Sequence, residues 1–282
     1  MTARLLMVQG TASHVGKSIL VAALCRIFRQ DGYKVAPFKA QNMASSYILA
    51  DGNEIGGIQA VQAEAAGVQP SVYMNPILLK PVGDSRSEVV LLGKPHATMS
   101  AVDYYAAKDE LWPLVANALE RLTSEYDIVV IEGAGGCAEI NLADSEIVNM
   151  RVARYARAPV LLVSDIERGG VFASLIGTME LLKPEERSLV KAFIINKFRG
   201  DIDILKPGLR MLEQRTGIPV AGVIPWFNHI YFPEEDSLGQ EHPHPGGITE
   251  MAEHDKLAEL VHSSIDMDFI YQITSLKEAV QK

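Results

Sequence analysis

The feature that most constrains this chain is a glycine-bounded loop at Gly10–Ser18, which reads G-T-A-S-H-V-G-K-S. An apolar run at Leu5–Val8 precedes it, and a segment with helical periodicity at Lys17–Gln30 follows. A strand, a glycine loop and a helix in this order direct backbone N–H groups and a helix N-terminus at one point, which suits a phosphate chain. The loop therefore predicts that Lys17 reaches the β- and γ-phosphates of a nucleotide and that Ser18 binds Mg²⁺.

The spacing of this loop departs from the usual pattern, because Thr11 occupies the position of the first glycine. A turn that only links a strand to a helix is the alternative, and it is disfavoured because Gly-Lys-Ser falls at the junction itself. The residues expected at the nucleotide are Thr11, Ser13, His14, Val15, Gly16, Lys17 and Ser18.

The rest of the chain alternates apolar runs with helical patterns. The predicted strands are Leu5–Val8, Val35–Phe38, Ile128–Ile131, Val160–Val163, Phe193–Ile195 and Val220–Ile224. The predicted helices are Lys17–Gln30, Ile55–Ala66, Ala101–Leu122, Glu146–Ala156, Val171–Leu182 and Ile202–Thr216. This alternation predicts an α/β fold with a doubly wound, mainly parallel sheet, whose ligands lie beyond the carboxyl ends of the strands. The glycine loop after the first strand makes this a sheet of the P-loop NTPase type.

Two segments interrupt or follow this pattern. Between Val68 and Gly93 the pattern weakens around a possible hairpin strand, Glu88–Leu92, which indicates an insertion near the mouth of the site. Towards the C-terminus we expect a domain at residues 1–238, a linker at 239–248 and a helical extension at 249–282. Thr249 is the expected N-cap of the extension, and its apolar face consists of Leu257, Leu260, Val261 and Ile265.

Composition narrows the class of protein. The chain has 26 Lys and Arg against 35 Asp and Glu, a net charge of −9, and no basic stripe, so a nucleic-acid partner is not expected. No apolar run approaches the length of a membrane span, and the two cysteines, Cys25 and Cys137, form no disulfide framework. We therefore expect a cytoplasmic protein that acts on small molecules.

Chemistry-bearing residues follow several predicted strands and so share one edge of the sheet. Glu132 ends the run Ile128–Ile131 and is expected to hold Mg²⁺ directly or through water. Lys39 follows Phe38 and is expected to neutralise charge on a transferred phosphoryl group, with Gln41 and Asn42 hydrogen-bonding substrate. Asn196 and Lys197 are expected near the base of the nucleotide.

Nine motifs in order resemble the synthetase half of the cobyric acid synthase family, over about residues 4 to 238. They are Gly10–Ser18, Phe38–Met43, Asp51–Gly56, Met74–Pro81, Glu132–Gly135, Ala138–Leu142, Asp165–Phe172, Asn196–Asp201 and Gly222–Pro225. The fold of that half is similar to dethiobiotin synthetase. Related partitioning ATPases carry a further lysine where this chain has Ala12, which argues against that branch.

The resemblance implies ATP- and Mg²⁺-dependent amidation of peripheral carboxylates on adenosylcobyrinic a,c-diamide, a corrinoid acid, through carboxyl phosphate intermediates. It also implies roles for further residues in four groups: Asp51 as a metal ligand, with Glu54 as its rival; Asn141, Asp144 and Glu146 for orienting the carboxyl phosphate or ammonia; Lys80, Asp165, Arg168 and Arg199 for substrate; and Pro225 for the nucleotide. A structural ion pair is the alternative for each of Lys80, Arg168 and Arg199. The family generally has Asp where this chain has Glu146.

Full-length members of that family usually continue into a glutaminase domain, and this sequence ends before one. Neither Cys25 nor Cys137 has the context of a nucleophile, so both are expected to be packing residues. We therefore expect the chain to use free ammonia or a separate glutaminase subunit, with the 249–282 helix as a possible docking element and a homodimer possible.

Two other functions stay open on the sequence alone. One is a dethiobiotin synthetase-like ligase that acts on another acid. The other is an ATP-binding regulatory or scaffold protein without ligase activity.

Overall fold

A computed structural model describes residues 3–227 and 251–276 of the chain. The strands are β1 (Arg4–Gly10), β2 (Val35–Phe38), β3 (Gln41–Met43), β4 (Ser46–Ile48), β5 (Glu54–Gly56), β6 (Ile77–Gly83), β7 (Arg86–Leu91), β8 (Lys94–Ser100), β9 (Ile128–Glu132), β10 (Val160–Asp165), β11 (Val190–Phe198) and β12 (Val220–Pro225). The α-helices are α1 (Lys17–Gln30), α2 (Gly57–Ala66), α3 (Ala101–Glu125), α4 (Met150–Ala156), α5 (Val171–Leu181), α6 (Pro184–Arg187), α7 (Ile202–Thr216), α8 (Met251–Ser264) and α9 (Met267–Thr274). Short 3₁₀ helices lie at Val72–Met74 and Ile140–Ser145.

The central sheet has six parallel strands in the order β12-β11-β10-β1-β9-β2. All six predicted strands are present in it, and the predicted doubly wound parallel sheet is confirmed. Strand β1 lies between β9 and β10, so the loop that follows β1 emerges where the chain has wound in both directions. This is the position at which open α/β sheets bind their ligands.

Both faces of the central sheet are covered, which explains the continuous apolar strands. In β1, Leu6 and Val8 point into the core shared with α1, whereas Met7 points into the core on the opposite face. Alternate residues of a strand project to opposite faces, so a strand buried on both sides must be apolar throughout. The sheet is thereby fixed rigidly beneath its loops.

The predicted insertion is larger than the sequence pattern indicated. The expected hairpin strand is β7, and it belongs to a four-stranded sheet in the order β3-β6-β7-β8, beside which β4 and β5 form a separate hairpin. Strand β3 begins two residues after Lys39, so this second sheet starts directly at the carboxyl edge of the central one. The sheet of β3, β6, β7 and β8 is called the insertion wall, and it stands at the edge of the central sheet that carries the phosphate loop.

The C-terminal extension folds back onto the main domain as two helices rather than one. Leu257 and Val261 of α8 are buried in the same core as α1, and Arg26 of α1 forms an ion pair of 2.7 Å with Asp255 of α8. Three of the four predicted apolar residues, Leu257, Val261 and Ile265, are therefore covered by the chain's own domain, and Leu260 is half-buried. The predicted linker at 239–248 and Thr249 lie outside the described residues.

Within the described part of the chain, no helix is both long enough and apolar enough to span a lipid bilayer.

Candidate active site

Asn196, near the end of β11, contacts the phosphate loop. Gly16 has a φ of 97°, and a Cβ built there would lie 2.0 Å from Nδ2 of Asn196. That nitrogen donates a 2.9 Å hydrogen bond to the carbonyl of Val15. Glycine is therefore required at position 16 for both its backbone conformation and its space.

Lys17 joins the loop to the glycine turn that follows β9. Its ammonium donates to the carbonyls of Ala12, at 3.1 Å, and Gly135, at 3.2 Å, and the residue is 1% exposed. A buried ammonium held by carbonyls at a helix N-terminus concentrates positive charge where several N–H groups also converge. This arrangement suits a chain of phosphates.

Glu132, at the end of β9, is the centre of a buried polar network. Its Oε1 accepts hydrogen bonds from Ser18 Oγ, at 2.8 Å, and from the ammonium of Lys39, at 2.7 Å. Its Oε2 accepts a 2.5 Å hydrogen bond from Nε2 of Gln62. Neither Glu132 nor Lys39 is exposed, so this carboxylate is stabilised by paired donors rather than by water.

Three of these four residues were predicted at this edge of the sheet, and the structure brings them into contact. Gln62 was missed because it lies in α2, whose sequence indicates only a buried helix. Two glutamines, Gln59 and Gln62, in a short Ala-rich helix were the available signal. Besides Glu132, the Nε2 of Gln62 donates to the backbone carbonyl of Ser18 at 3.2 Å, so α2 contacts both the main chain of Ser18 and the carboxylate that the Ser18 hydroxyl binds.

The oxygens of Ser18 and Glu132 form a donor set of the kind that Mg²⁺ prefers. Among the described residues, no three His, Cys, Asp or Glu side chains form a cluster able to hold a metal ion. A Mg²⁺ ion bound by one carboxylate and one hydroxyl takes its other ligands from phosphate and water, as is usual for nucleotide sites. The residues present therefore fit magnesium as a companion of a nucleotide.

The glycine turn after β9 is fixed by Asn149. Its Oδ1 accepts from the N–H of Ala134 at 2.9 Å, and its Nδ2 donates to the carbonyls of Ala134, at 2.8 Å, and Gly136, at 3.2 Å.

The helix predicted from Glu146 begins instead at Met150, because both carboxylate oxygens of Glu146 accept from backbone N–H groups at the start of α4.

The other two orienting residues lie just before Glu146. Asn141 is exposed on the 3₁₀ helix Ile140–Ser145, and the side chain of Asp144 lies outside the described part of the structure. The catalytic roles of Asp144 and Glu146 and the orienting role of Asn141 stay predictions.

Asp165 lies on the nucleotide side of the site rather than among the other expected substrate residues. Its carboxylate accepts a 2.9 Å hydrogen bond from the ammonium of Lys197. The same ammonium donates to the carbonyl of His14 at 2.7 Å. Thr11 shares a 2.9 Å hydrogen bond with Ser164 of β10. The ends of β10 and β11 therefore stabilise the phosphate loop, and Pro225 ends the neighbouring strand β12.

Gln41 and Asn42 lie on β3, next to the central network. The phenolic O–H of Tyr104 donates to Oε1 of Gln41 at 2.7 Å, and Nδ2 of Asn42 donates to Gln59 at 2.9 Å. These contacts fix the first residues of the insertion wall.

The ionic residues expected at substrate or metal have local partners. Lys80 lies between Glu54 and Glu88, with both ion pairs at 2.7 Å. The Lys80 hydrogen bond lowers the pKa of Glu54, so this rival metal ligand is already paired with a cation. The ions around Lys80 therefore form a surface group of the insertion wall.

Asp51 occupies an exposed turn between β4 and β5. Hydrogen bonds from the backbone N–H and side-chain amide of Asn53 lower the pKa of Asp51. The structure therefore keeps this carboxylate ionised but does not group it with Glu132.

The remaining two arginines lie at the outer edge of the site. Arg168 is exposed, and the guanidinium of Arg199 contacts Glu167 at 3.2 Å and stacks 4.1 Å from the ring centroid of Trp226. Contact of either arginine with substrate stays a prediction.

Both cysteines are buried. Burial raises the pKa of the Cys25 thiol well above its usual range and raises the pKa of Cys137 to about 12. Both thiols are therefore protonated at neutral pH and poor nucleophiles, in agreement with the expected packing role.

Comparison with known proteins gives a family and close relatives. The model of the CobQ/CobB/MinD/ParA nucleotide binding domain matches residues 6–238. A protein of Sorangium cellulosum (strain So ce56) named cobyric acid synthase is 61% identical over 242 residues, which is 86% of this chain and 46% of that protein. One of the same name from Desulforudis audaxviator (strain MP104C) is 60% identical over 240 residues, 85% of this chain and 48% of that protein.

The chain thus spans about half the length of the curated relatives it matches. The resemblance found from the nine motifs is confirmed by these relatives. Among solved structures, chloroplast FtsY from Physcomitrella patens has a TM-score of 0.48 and 19% identity, over 81% of this chain and 60% of that chain.

Proposed function

Because this chain belongs to the CobQ/CobB/MinD/ParA nucleotide binding domain family, we propose that it is an ATP-dependent ligase that amidates peripheral carboxylates of adenosylcobyrinic a,c-diamide, towards cobyric acid. The observation that carries the proposal is the buried contact of Ser18, Glu132 and Lys39 beside the phosphate loop. The names of the relatives supply the substrate. We assign the ligase to residues 1–238, with 239–248 as linker and 249–282 as extension.

The proposed chemistry needs no nucleophile from the protein. ATP supplies a phosphoryl group that converts a substrate carboxylate into a carboxyl phosphate, and ammonia then displaces phosphate to leave the amide. Catalysis of such a transfer depends on positioning and on neutralising charge. The buried ammonium groups at the edge of the sheet meet that need, because each is already fixed by hydrogen bonds at its working position.

Individual residues receive the following roles. Lys17 binds the phosphates together with the N–H groups of the loop, and Ser18 and Glu132 hold Mg²⁺. Lys39 donates to Glu132 and lies two residues before Gln41, so its ammonium stabilises charge on the phosphoryl group during transfer. Asn196 and Lys197 support the nucleotide side of the loop.

The partners are proposed on the same basis. The corrinoid acid is the substrate, and ammonia comes either free or from a separate glutaminase subunit. A homodimer and a cytoplasmic location complete the proposal and rest on the sequence alone.

One assay tests the proposal. The chain is incubated with Mg-ATP, ammonium and a panel of corrinoid acids, while ADP release and product mass are followed. We expect ADP only with an a,c-diamide acid, together with stepwise amidation, and loss of both with Lys17→Ala. The exposed Lys256→Ala is the matched control. ADP release without any amide product, or full activity of Lys17→Ala, contradicts the proposal.

A further inference from the structure

A concave surface lies between the insertion wall and α3. It is a cavity of about 330 Å³ whose lining includes Gln41, two residues after Lys39 in the chain. Its walls are mostly apolar and include Met43, Leu79 and Met99. That volume is near the lower end of the range of about 300–1,000 Å³ found for ligand pockets, so it accepts one edge of a large molecule.

A buried cation lines this cavity. Lys108 of α3 is only 6% exposed, and its ammonium lies 3.8 Å from the ring centroid of Tyr105 and 5.7 Å from that of Tyr104. Burial lowers the pKa of Lys108, while the charge of Glu146 raises it. Both oxygens of Glu146 accept from backbone N–H groups, and within the described residues Lys108 forms no ion pair with a carboxylate.

Desolvating an ammonium is costly unless an anion or a set of acceptors compensates for the lost water. The two aromatic rings compensate only in part, because a cation–π contact contributes less than an ion pair with a hydrogen bond. A ligand carboxylate in the cavity supplies the missing partner. The cavity is therefore suited to an acid that also carries a large apolar surface.

Gln41 is a further polar residue of the lining, which also includes the charged Asp84 and Arg86. Because Tyr104 donates to Oε1 of Gln41, the NH₂ end of this amide is the end that is left to donate to a ligand. Burial raises the pKa of Tyr104, which keeps its phenol protonated as the donor. The exposed Met43 continues the apolar wall outward.

We propose that this cavity binds a non-reacting edge of the polycarboxylate ring substrate, with Lys108 and Gln41 contacting one side arm and Tyr105 and Met99 packing against the ring. The inference rests on the proposed function and adds a substrate subsite to it. Gln41 lines the cavity and follows Lys39 by two residues in the chain, so on this proposal the other carboxylates of the substrate face the side on which Lys39 lies. Substrate bound in this way is positioned before the chemical step.

The test is equilibrium binding of adenosylcobyrinic a,c-diamide without ATP, followed by its visible absorption, for the unmodified chain, Lys108→Met and the control Lys256→Met. Loss of one hydrogen bond to a charged group predicts about 10- to 100-fold weaker binding for Lys108→Met. Its affinity for Mg-ATP and the binding by Lys256→Met are expected not to change. Lys108→Arg is expected to recover part of the affinity.

The outcomes separate the two proposals. If the unmodified chain amidates the corrinoid acid and Lys108→Met binds that acid equally well, the subsite is wrong and the proposed function stands. If the unmodified chain neither binds nor amidates the acid, both proposals fall. If Lys108→Met shows no thermal unfolding transition and so does not fold, Gln41→Leu and Tyr105→Leu replace it in the test. Each of these variants is expected to weaken binding of the acid without weakening binding of Mg-ATP. The subsite is rejected if they do not.

Discussion

Replacing Lys39 with methionine tests the buried centre of the site. The Lys39 ammonium lies 2.7 Å from Oε1 of Glu132, and the side chains are 1% and 0% exposed. Removing one member of a buried ion pair strands the other charge and costs about 3–5 kcal/mol. For a chain of this size that loss corresponds to a fall in Tm on the order of 10 °C, at about 2–4 °C per kcal/mol. We expect Lys39→Met to show this loss without nucleotide.

Glu132→Gln completes a double-mutant cycle. This change also strands a charge, but Gln62 can adapt, because its Oε1 has no hydrogen-bond partner among the described residues and can accept from a new amide. The double variant Lys39→Met, Glu132→Gln removes both charges, so it is expected to be more stable than the sum of the single losses predicts, by about 0.5–3 kcal/mol.

The cycle is measured by urea unfolding followed by circular dichroism, with Lys256→Met as the surface control. An unchanged urea midpoint for Lys39→Met, or strictly additive losses, would refute the reasoning that the pair is buried and mutually dependent. Turnover gives a second readout. Lys39→Met is expected to bind Mg-ATP but to release ADP more slowly, because its charge acts on the group in transit.

Three further predictions follow from single contacts. Gly16→Ala is expected to abolish measurable Mg-ATP binding, because the added Cβ meets the side chain of Asn196. Gly32→Ala controls for backbone strain, because Gly32 has a similar φ of 90° but open space around it. Equal loss of Mg-ATP binding in both variants contradicts the steric argument. Gln62→Leu leaves a buried carboxylate oxygen without its donor and is expected to destabilise the chain by about 1–3 kcal/mol in urea unfolding; no loss contradicts this. The pKa of His254 is lowered in the folded chain, first by burial and then by the nearby charge of Arg26. As the pH falls, the unfolded chain therefore takes up a proton before the folded chain does. The free energy of unfolding is expected to decrease as the pH drops below about 6.5. His254→Phe is expected to flatten that dependence between pH 7 and 5, and an unchanged slope contradicts it.

The candidate site was predictable where one residue follows one strand. Glu132 and Lys39 each end an apolar run, and the carboxyl ends of parallel strands share an edge, so their proximity follows from the fold class. Lys17 and Ser18 were predictable because the loop and the helix that position them are continuous in sequence. Gln62 was not, because a buried glutamine on a helix shows no local sign of which strand end it faces.

The sequence by itself determined the elements of the central sheet and the identity of the phosphate loop, since hydrophobic periodicity and glycine placement act over a few residues. Only the tertiary structure decided which distant side chains meet. The wall formed by β3, β6, β7 and β8, the closure of α8 onto α1, and the placing of Lys108 beside a cavity all depend on contacts far apart in the chain. Short, half-exposed strands and surface charges take their partners from the assembled fold, and no local pattern specifies them.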